Sequence, residues 1–149
     1  MRTLREAKLT PASVRNTATF REAADALCEA GVSALAVLGE DERVLGLFTD
    51  DDLVAGLFPR YLKELRHTAF AEDMDDVLAD RVARVSPEPV TRHMRAPVTV
   101  EVDASATHAA ERFLHVPWGA IAVVERGRFV GMLTEVALAR SLLDPLLHS

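Results

Sequence analysis

Two apolar runs of strand length set the pattern of the chain. Ala34-Leu35-Ala36-Val37-Leu38 is unbroken, five turn-type residues follow at 39–43, and Val44-Leu45-Gly46-Leu47-Phe48 is the second run. Short apolar runs bounded by turn residues read as buried strands, so the two predict a hairpin. Ahead of them, Thr19-Phe20-Arg21-Glu22 is a capping box, with Thr and Glu able to satisfy each other's backbone N–H groups. The helix it opens carries Ala23, Ala24, Ala26, Leu27 and Ala30 and ends at Gly31, a residue suited to the position just past a helix. Behind the hairpin, Thr49 and an acidic cluster open a second helical pattern with Leu53, Val54, Leu57 and Phe58. Pro59 stops it, because proline cannot continue a helix without a kink.

The same pattern returns. Phe129-Val130-Gly131-Met132-Leu133-Thr134 matches the second run 85 residues later, and at that offset Glu40, Arg43, Gly46, Thr49, Leu53 and Leu57 meet identical residues. Further upstream the best register becomes 87, with residues 16–24 over 103–111, which implies a helix-to-strand loop two residues shorter in the second copy. There the expected elements are a first strand at 97–100, a helix starting at Ala104 or Ser105, strands at 120–124 and 128–133 around a turn at Glu125-Arg126-Gly127, and a last helix over 135–147. A repeated unit of this size buries its face against its twin.

Strand, helix, strand, strand, helix, with Gly-Leu-Phe-Thr-Asp-Asp-Asp-Leu closing the strand, resembles the cystathionine-β-synthase (CBS) domain family, whose repeats pair in tandem as a Bateman module. The resemblance covers roughly residues 8–58 and 90–143. It implies an α/β (α+β) fold of tandem CBS repeats, each a small β-sheet packed with two helices. It also implies a non-catalytic regulatory or sensing module that takes an adenosine-containing ligand between repeats. The expected organisation is a first repeat with its lead-in at 1–58, a helical linker at 59–89 and a second repeat at 90–149. Within the linker, residues 60–66 read as one helical piece. Phe70, Met74, Val77, Leu78, Val82 and Val85 fall on one face of another, a stripe that must cover the module or meet a second subunit.

Composition narrows the function classes. The net charge of −6 argues against nucleic-acid binding, which needs a basic face; Arg92-His93 with Arg95, and Arg81 with Arg84, read as solvated surface or as contacts for a ligand phosphate. No apolar run approaches a membrane span and the start of the chain lacks a signal-peptide core, so the expected location is cytoplasmic. The lone Cys28, among alanines mid-helix, reads as a small buried thiol. Five scattered histidines show no metal-ligand spacing, and no nucleophile or phosphate-loop motif occurs, so neither an enzyme nor a metal site is expected.

Thr49 and Asp52 carry the candidate chemistry, and two readings of the pair stand. Thr-x-x-Asp is a helix cap; it also offers a hydroxyl and helix N-terminus to a phosphate and a carboxylate to both hydroxyls of a ribose. By resemblance, the partner repeat supplies Ala96, Pro97, Val98, Trp118 and Gly119 around the adenine. Trp118 either stacks on the base or is a half-buried core residue. The opposite pocket joins Thr134 to Pro11, Ala12, Ser13, Ser33 and Ala34, but has Ala137 where the first has Asp52, and should hold ribose poorly. The carboxylates of Asp50 and Asp51 disfavour a triphosphate, so AMP or S-adenosylmethionine is expected ahead of ATP, with no cofactor required. The partners expected are a homodimer mate, through helices carrying Leu53, Leu57, Leu138 and Leu142, and a regulated protein. A protein-interaction or dimerisation module with no small ligand is the alternative.

Overall fold

The computed structural model describes residues 3–59 and 71–147. Two copies of one unit run through them. The first comprises β1 (Ser13–Arg15), α1 (Phe20–Ala30), β2 (Ala34–Leu38), β3 (Val44–Thr49) and α2 (Asp50–Leu57). A helix, α3 (Ala71–Val85), and a 3₁₀ turn at Val90–Arg92 lead to the second: β4 (Thr99–Glu101), α4 (Ala106–Phe113), β5 (Ala120–Glu125), β6 (Arg128–Thr134) and α5 (Glu135–Leu147). In each unit the first strand runs parallel to the second and the third antiparallel to it, giving sheets of order β1-β2-β3 and β4-β5-β6. The mixed α/β fold of tandem repeats is therefore as expected.

Local signals place the boundaries. Thr19 accepts from the Glu22 N–H at 3.1 Å while Glu22 accepts from the Thr19 N–H at 3.1 Å, closing the capping box. Gly31 ends α1 in the left-handed region, φ +65°, which costs glycine little. β4 starts at Thr99, two residues after Pro97, although the Val98 carbonyl already accepts from Ala122 N–H at 3.1 Å.

The expected shortening of the second helix-to-strand loop is not found. The caps Thr19 and Ser105, and the strand starts Ala34 and Ala120, share one offset of 86. The second copy loses its residue in the hairpin instead. Val44 pairs with Leu38 across five residues, whereas their counterparts Phe129 and Val124 pair across four, and within those four Arg128 pairs with Glu125 around Arg126-Gly127. Those two residues have φ +53° and +81°, the left-handed pair whose twist suits a two-residue hairpin.

Cys28 is not the buried thiol expected of it. It is exposed, because α1 buries the face of Phe20, Ala23 and Leu27 and Cys28 falls to its side.

The central strands β2 and β5 approach each other, and fully buried alanines make that possible. Ala34 and Ala36 lie in one core cluster with Ala120 and Ala122, so a single core spans both repeats. A second cluster, around Val100, Ile121, Val123 and Leu133, fills the outer side of the second sheet. On the other flank α3 covers α2: Arg81 donates to the Gly56 carbonyl at 2.8 Å, Val85 is fully buried in the first core, and Met74, Val77, Leu78 and Val82 are half-buried. The linker stripe thus covers the module; its first residue, Phe70, and the helical piece expected at 60–66 lie outside the described residues.

Each repeat's lead-in crosses to the other repeat. Leu4 is completely buried in the second repeat's core, its N–H bonds the Ala104 carbonyl, and Arg5 pairs with Asp103 and Glu125. Thr10 exchanges both backbone bonds with Met132. Reciprocally, Arg95 exchanges both with Leu47 in the first repeat, at 2.9 and 3.0 Å. The two motif glycines make room for these crossings. A Cβ on Gly46 would stand 2.7 Å from the Arg95 carbonyl oxygen, and one on Gly131 would stand 2.7 Å from Leu9 Cβ.

Candidate functional site at the Asp52 cleft

β3 ends at Thr49, which is completely buried and caps α2. Its hydroxyl accepts from the Asp52 N–H at 3.2 Å and donates to Asp52 Oδ2 at 2.9 Å, and its own N–H donates to the same oxygen at 3.0 Å. The cap reading of Thr-x-x-Asp is therefore realised in full, and the Thr49 hydroxyl is spent inside it. What the cap presents outward is the rigidly held carboxylate of Asp52, with Oδ1 outside the capping bonds.

Arg95 meets that carboxylate. Its backbone is fixed against Leu47, two residues before Thr49, so its side chain reaches the start of α2. Nε donates to Asp52 Oδ2 at 2.9 Å and a terminal nitrogen to Oδ1 at 2.7 Å, a bidentate fork. The Asp52 side chain is 14% exposed and that of Arg95 33%. The hydrogen bond to Asp52 raises the Arg95 pKa against the opposing cost of burial, and the charges of Asp52, Asp51 and Asp50 add to the rise. Arg95 is thus a permanent cation here.

While the edge of the guanidinium forks onto Asp52, its face rests on Trp118. Its central carbon lies 4.6 Å from the ring centroid, within cation–π range. Ser33 donates its hydroxyl to the Trp118 carbonyl, which anchors the loop ahead of β5 to the matching loop of the first repeat. Trp118 Nε1 is buried without a hydrogen-bond partner among the described residues. The ring is half-buried and packs against both cores.

The expected site residues thus fall into two groups. Asp52 and Trp118 are brought together through Arg95, with Ala96 and Pro97 exposed directly beside it and Val98 half-buried. Gly119 turns away: it lines, with Ser33 and Thr134, a cavity of about 400 Å³ on the opposite side. Thr134 caps α5 by accepting from the Ala137 N–H at 3.0 Å, half of the box that Asp52 completes in the first repeat. A neighbouring cavity of about 350 Å³ joins Thr134 and Ala137 to Lys8 and Arg140.

Arg95 is the central residue that the expected site left out, although it was visible as part of a basic cluster. Its two companions go elsewhere. Arg92 is exposed, and His93 bonds Glu88 at 2.8 Å and packs on Phe20. The available signal was the repeat itself, since Leu47 and Met132 are equivalent and each faces the other repeat's lead-in.

The CBS domain matches residues 6–58 and 90–144. The chain belongs to the CBS domain family. Solved structures agree with this CBS pair in fold. CBSX2 from Arabidopsis thaliana superposes with a TM-score of 0.75 at 20% identity, covering 99% of this chain and 98% of that one. A structure of CBSX2 in complex with AMP gives 0.69 at 22% identity, covering 98% and 99%. The CBS domain protein PAE2072 from Pyrobaculum aerophilum complexed with AMP gives 0.66 at 22% identity, covering 100% of both chains. No curated protein matches the chain. Among the described residues, no helix is long and apolar enough to cross a membrane, and no group of three or more His, Cys, Asp or Glu side chains is placed to hold a metal ion.

Proposed function

We propose that this CBS pair is a non-catalytic regulatory sensor whose Asp52 cleft takes an adenosine-bearing ligand of modest charge, such as AMP or S-adenosylmethionine, and whose occupancy is read by another protein. The observation that carries this reading is the carboxylate of Asp52, held by its cap, on one side of Arg95 with the Trp118 ring on the other. A carboxylate suits the two hydroxyls of a ribose and an aromatic face suits a purine. The AMP complexes of CBSX2 and PAE2072 support the ligand class. Thr49 contributes by orienting Asp52, Ala96 to Val98 by edging the cleft with backbone, while Gly119 and Thr134 belong to the opposite cleft, where Ala137 offers no acceptor.

The reading expects one AMP per chain by calorimetry and a melting temperature that rises with AMP by mass action. Asp52→Asn should weaken AMP about tenfold to a hundredfold, the worth of a charge-assisted hydrogen bond. If Asp52→Asn lowers the melting temperature and leaves affinity untouched, Asp52 is a cap alone. If AMP and S-adenosylmethionine both fail to bind, the ligand-free interaction module is the better account.

The same reading includes a homodimer through α2 and α5. Leu138 is buried within the chain and Leu53 and Leu57 partly so, but Val54, Leu142 and Leu143 on the same two helices, and Phe58 just past α2, remain exposed. Light scattering at micromolar concentration should return twice the mass of one chain; the mass of a single chain would refute the dimer.

A further inference from the structure

Both groups that the proposed ligand would use are already engaged, and by one side chain. The Arg95 guanidinium forks onto Oδ1 and Oδ2 of Asp52 and covers the Trp118 ring at 4.6 Å. A ribose seeking the carboxylate and a purine seeking the ring must therefore take the place of the guanidinium. The backbone of Arg95 is pinned to Leu47 by two hydrogen bonds, but its side chain is one-third exposed and has a flexible stem. It can leave without moving the strand.

We propose that Arg95 is a displaceable internal occupant of the Asp52 cleft, and that its displacement makes the cleft favour phosphorylated over neutral nucleosides. The inference rests on the ligand reading above. A neutral nucleoside gives the displaced guanidinium nothing in exchange for Asp52, so binding has to break a bidentate ion pair and leave the cation unpartnered. A nucleoside monophosphate brings its own anion, and the guanidinium exchanges one bidentate oxyanion for another. Discrimination then comes from a cost imposed on the wrong ligand. It also reconciles a phosphate with three aspartates in the first turn of α2, because the cation that Asp52 gives up becomes available beside them.

The test measures AMP and adenosine on the wild type, Arg95→Gln and Arg95→Lys, by calorimetry and by emission of the sole tryptophan, Trp118. The wild type should bind AMP at least about tenfold more tightly than adenosine, the size of one charge-assisted contact. Arg95→Gln should bring that ratio towards one, with adenosine tightening. Arg95→Lys keeps the charge but loses the fork and the flat stacking surface, so it should tighten both ligands and retain the preference for AMP. A ratio unchanged in Arg95→Gln, or adenosine weakened by it, overturns the proposal. Equal affinities in the wild type overturn it too, and leave the ligand reading intact. Failure of both ligands to bind all three folded proteins overturns the ligand reading, and this proposal with it.

Discussion

The ion pair between Asp52 and Arg95 lends itself to a double-mutant cycle. The perturbations are Asp52→Asn, Arg95→Gln and the double variant. Exposed pairs are typically worth about 0.2–1 kcal/mol, and breaking a fully buried pair costs about 3–5 kcal/mol. This pair lies between them: Asp52 is 14% exposed, Arg95 33%, and the fork is bidentate at 2.7 and 2.9 Å. A coupling energy of about 1–2 kcal/mol follows. Asp52→Asn should not disturb α2 much further, since the amide oxygen can still accept from the Thr49 N–H and loss of an N-cap contact costs only about 1 kcal/mol. The orphaned arginine can turn to water. Urea denaturation suits the measurement because urea does not screen charge, and far-UV circular dichroism should be followed alongside Trp118 emission, as the tryptophan touches the mutated site. The midpoint should move with an unchanged slope. Salt should reduce the coupling without abolishing it, because the pair is only partly exposed. A coupling energy within about 0.3 kcal/mol of zero, the usual additivity of independent sites, would refute the pairing and the account of Arg95 as an occupant.

Three other outcomes are expected. Gly46→Ala places a methyl carbon 2.6 Å from Met94 Sδ and 2.7 Å from the Arg95 carbonyl, so it should cost about 1–3 kcal/mol in urea and weaken AMP by displacing the Arg95 backbone; stability and affinity both unchanged would refute the close approach. Leu4→Ala should cost about 2–5 kcal/mol although it lies almost at the start of the chain, because Leu4 is fully buried in the second core; a change under about 0.5 kcal/mol would mean that the lead-in does not dock there. Arg5 lowers the Asp103 pKa, chiefly through its hydrogen bond. Such a group stabilises the fold above its unfolded value of about 4 and loses that contribution as pH falls through the lowered one. The melting-temperature gap between wild type and Asp103→Asn should therefore be present at pH 7 and close in acid; a gap that persists there would rule out the ion pair as its cause.

Local chemistry was legible in the sequence alone. The capping boxes at Thr19 and Thr49, the left-handed stop at Gly31 and a turn at Glu125-Arg126-Gly127 each depend on neighbours within a few residues, although strand pairing takes Glu125 out of that turn. The strands and the tandem repeat could be read because burial imposes a period and the second copy shows it again. Asp52 stood out for the same reason, by its spacing from Thr49 and its absence at 137. Tertiary structure decided the rest. Side-chain burial at Cys28 depends on which face of α1 meets the core, and a helix of alanines does not announce its inner face. The second copy's missing residue could be assigned to a loop or a hairpin until strand pairing settled the register at 86. The crossed lead-ins had no local signature at all, since Leu4 meets residues about a hundred positions away and Arg95 reaches back to Leu47 and Asp52. Gly46 marks the place where Arg95 enters, but a glycine records only that something comes close. That the visitor is a cation, forked onto Asp52 and laid against Trp118, follows from the crossing of lead-ins between repeats, which brings three distant residues to one end of a helix.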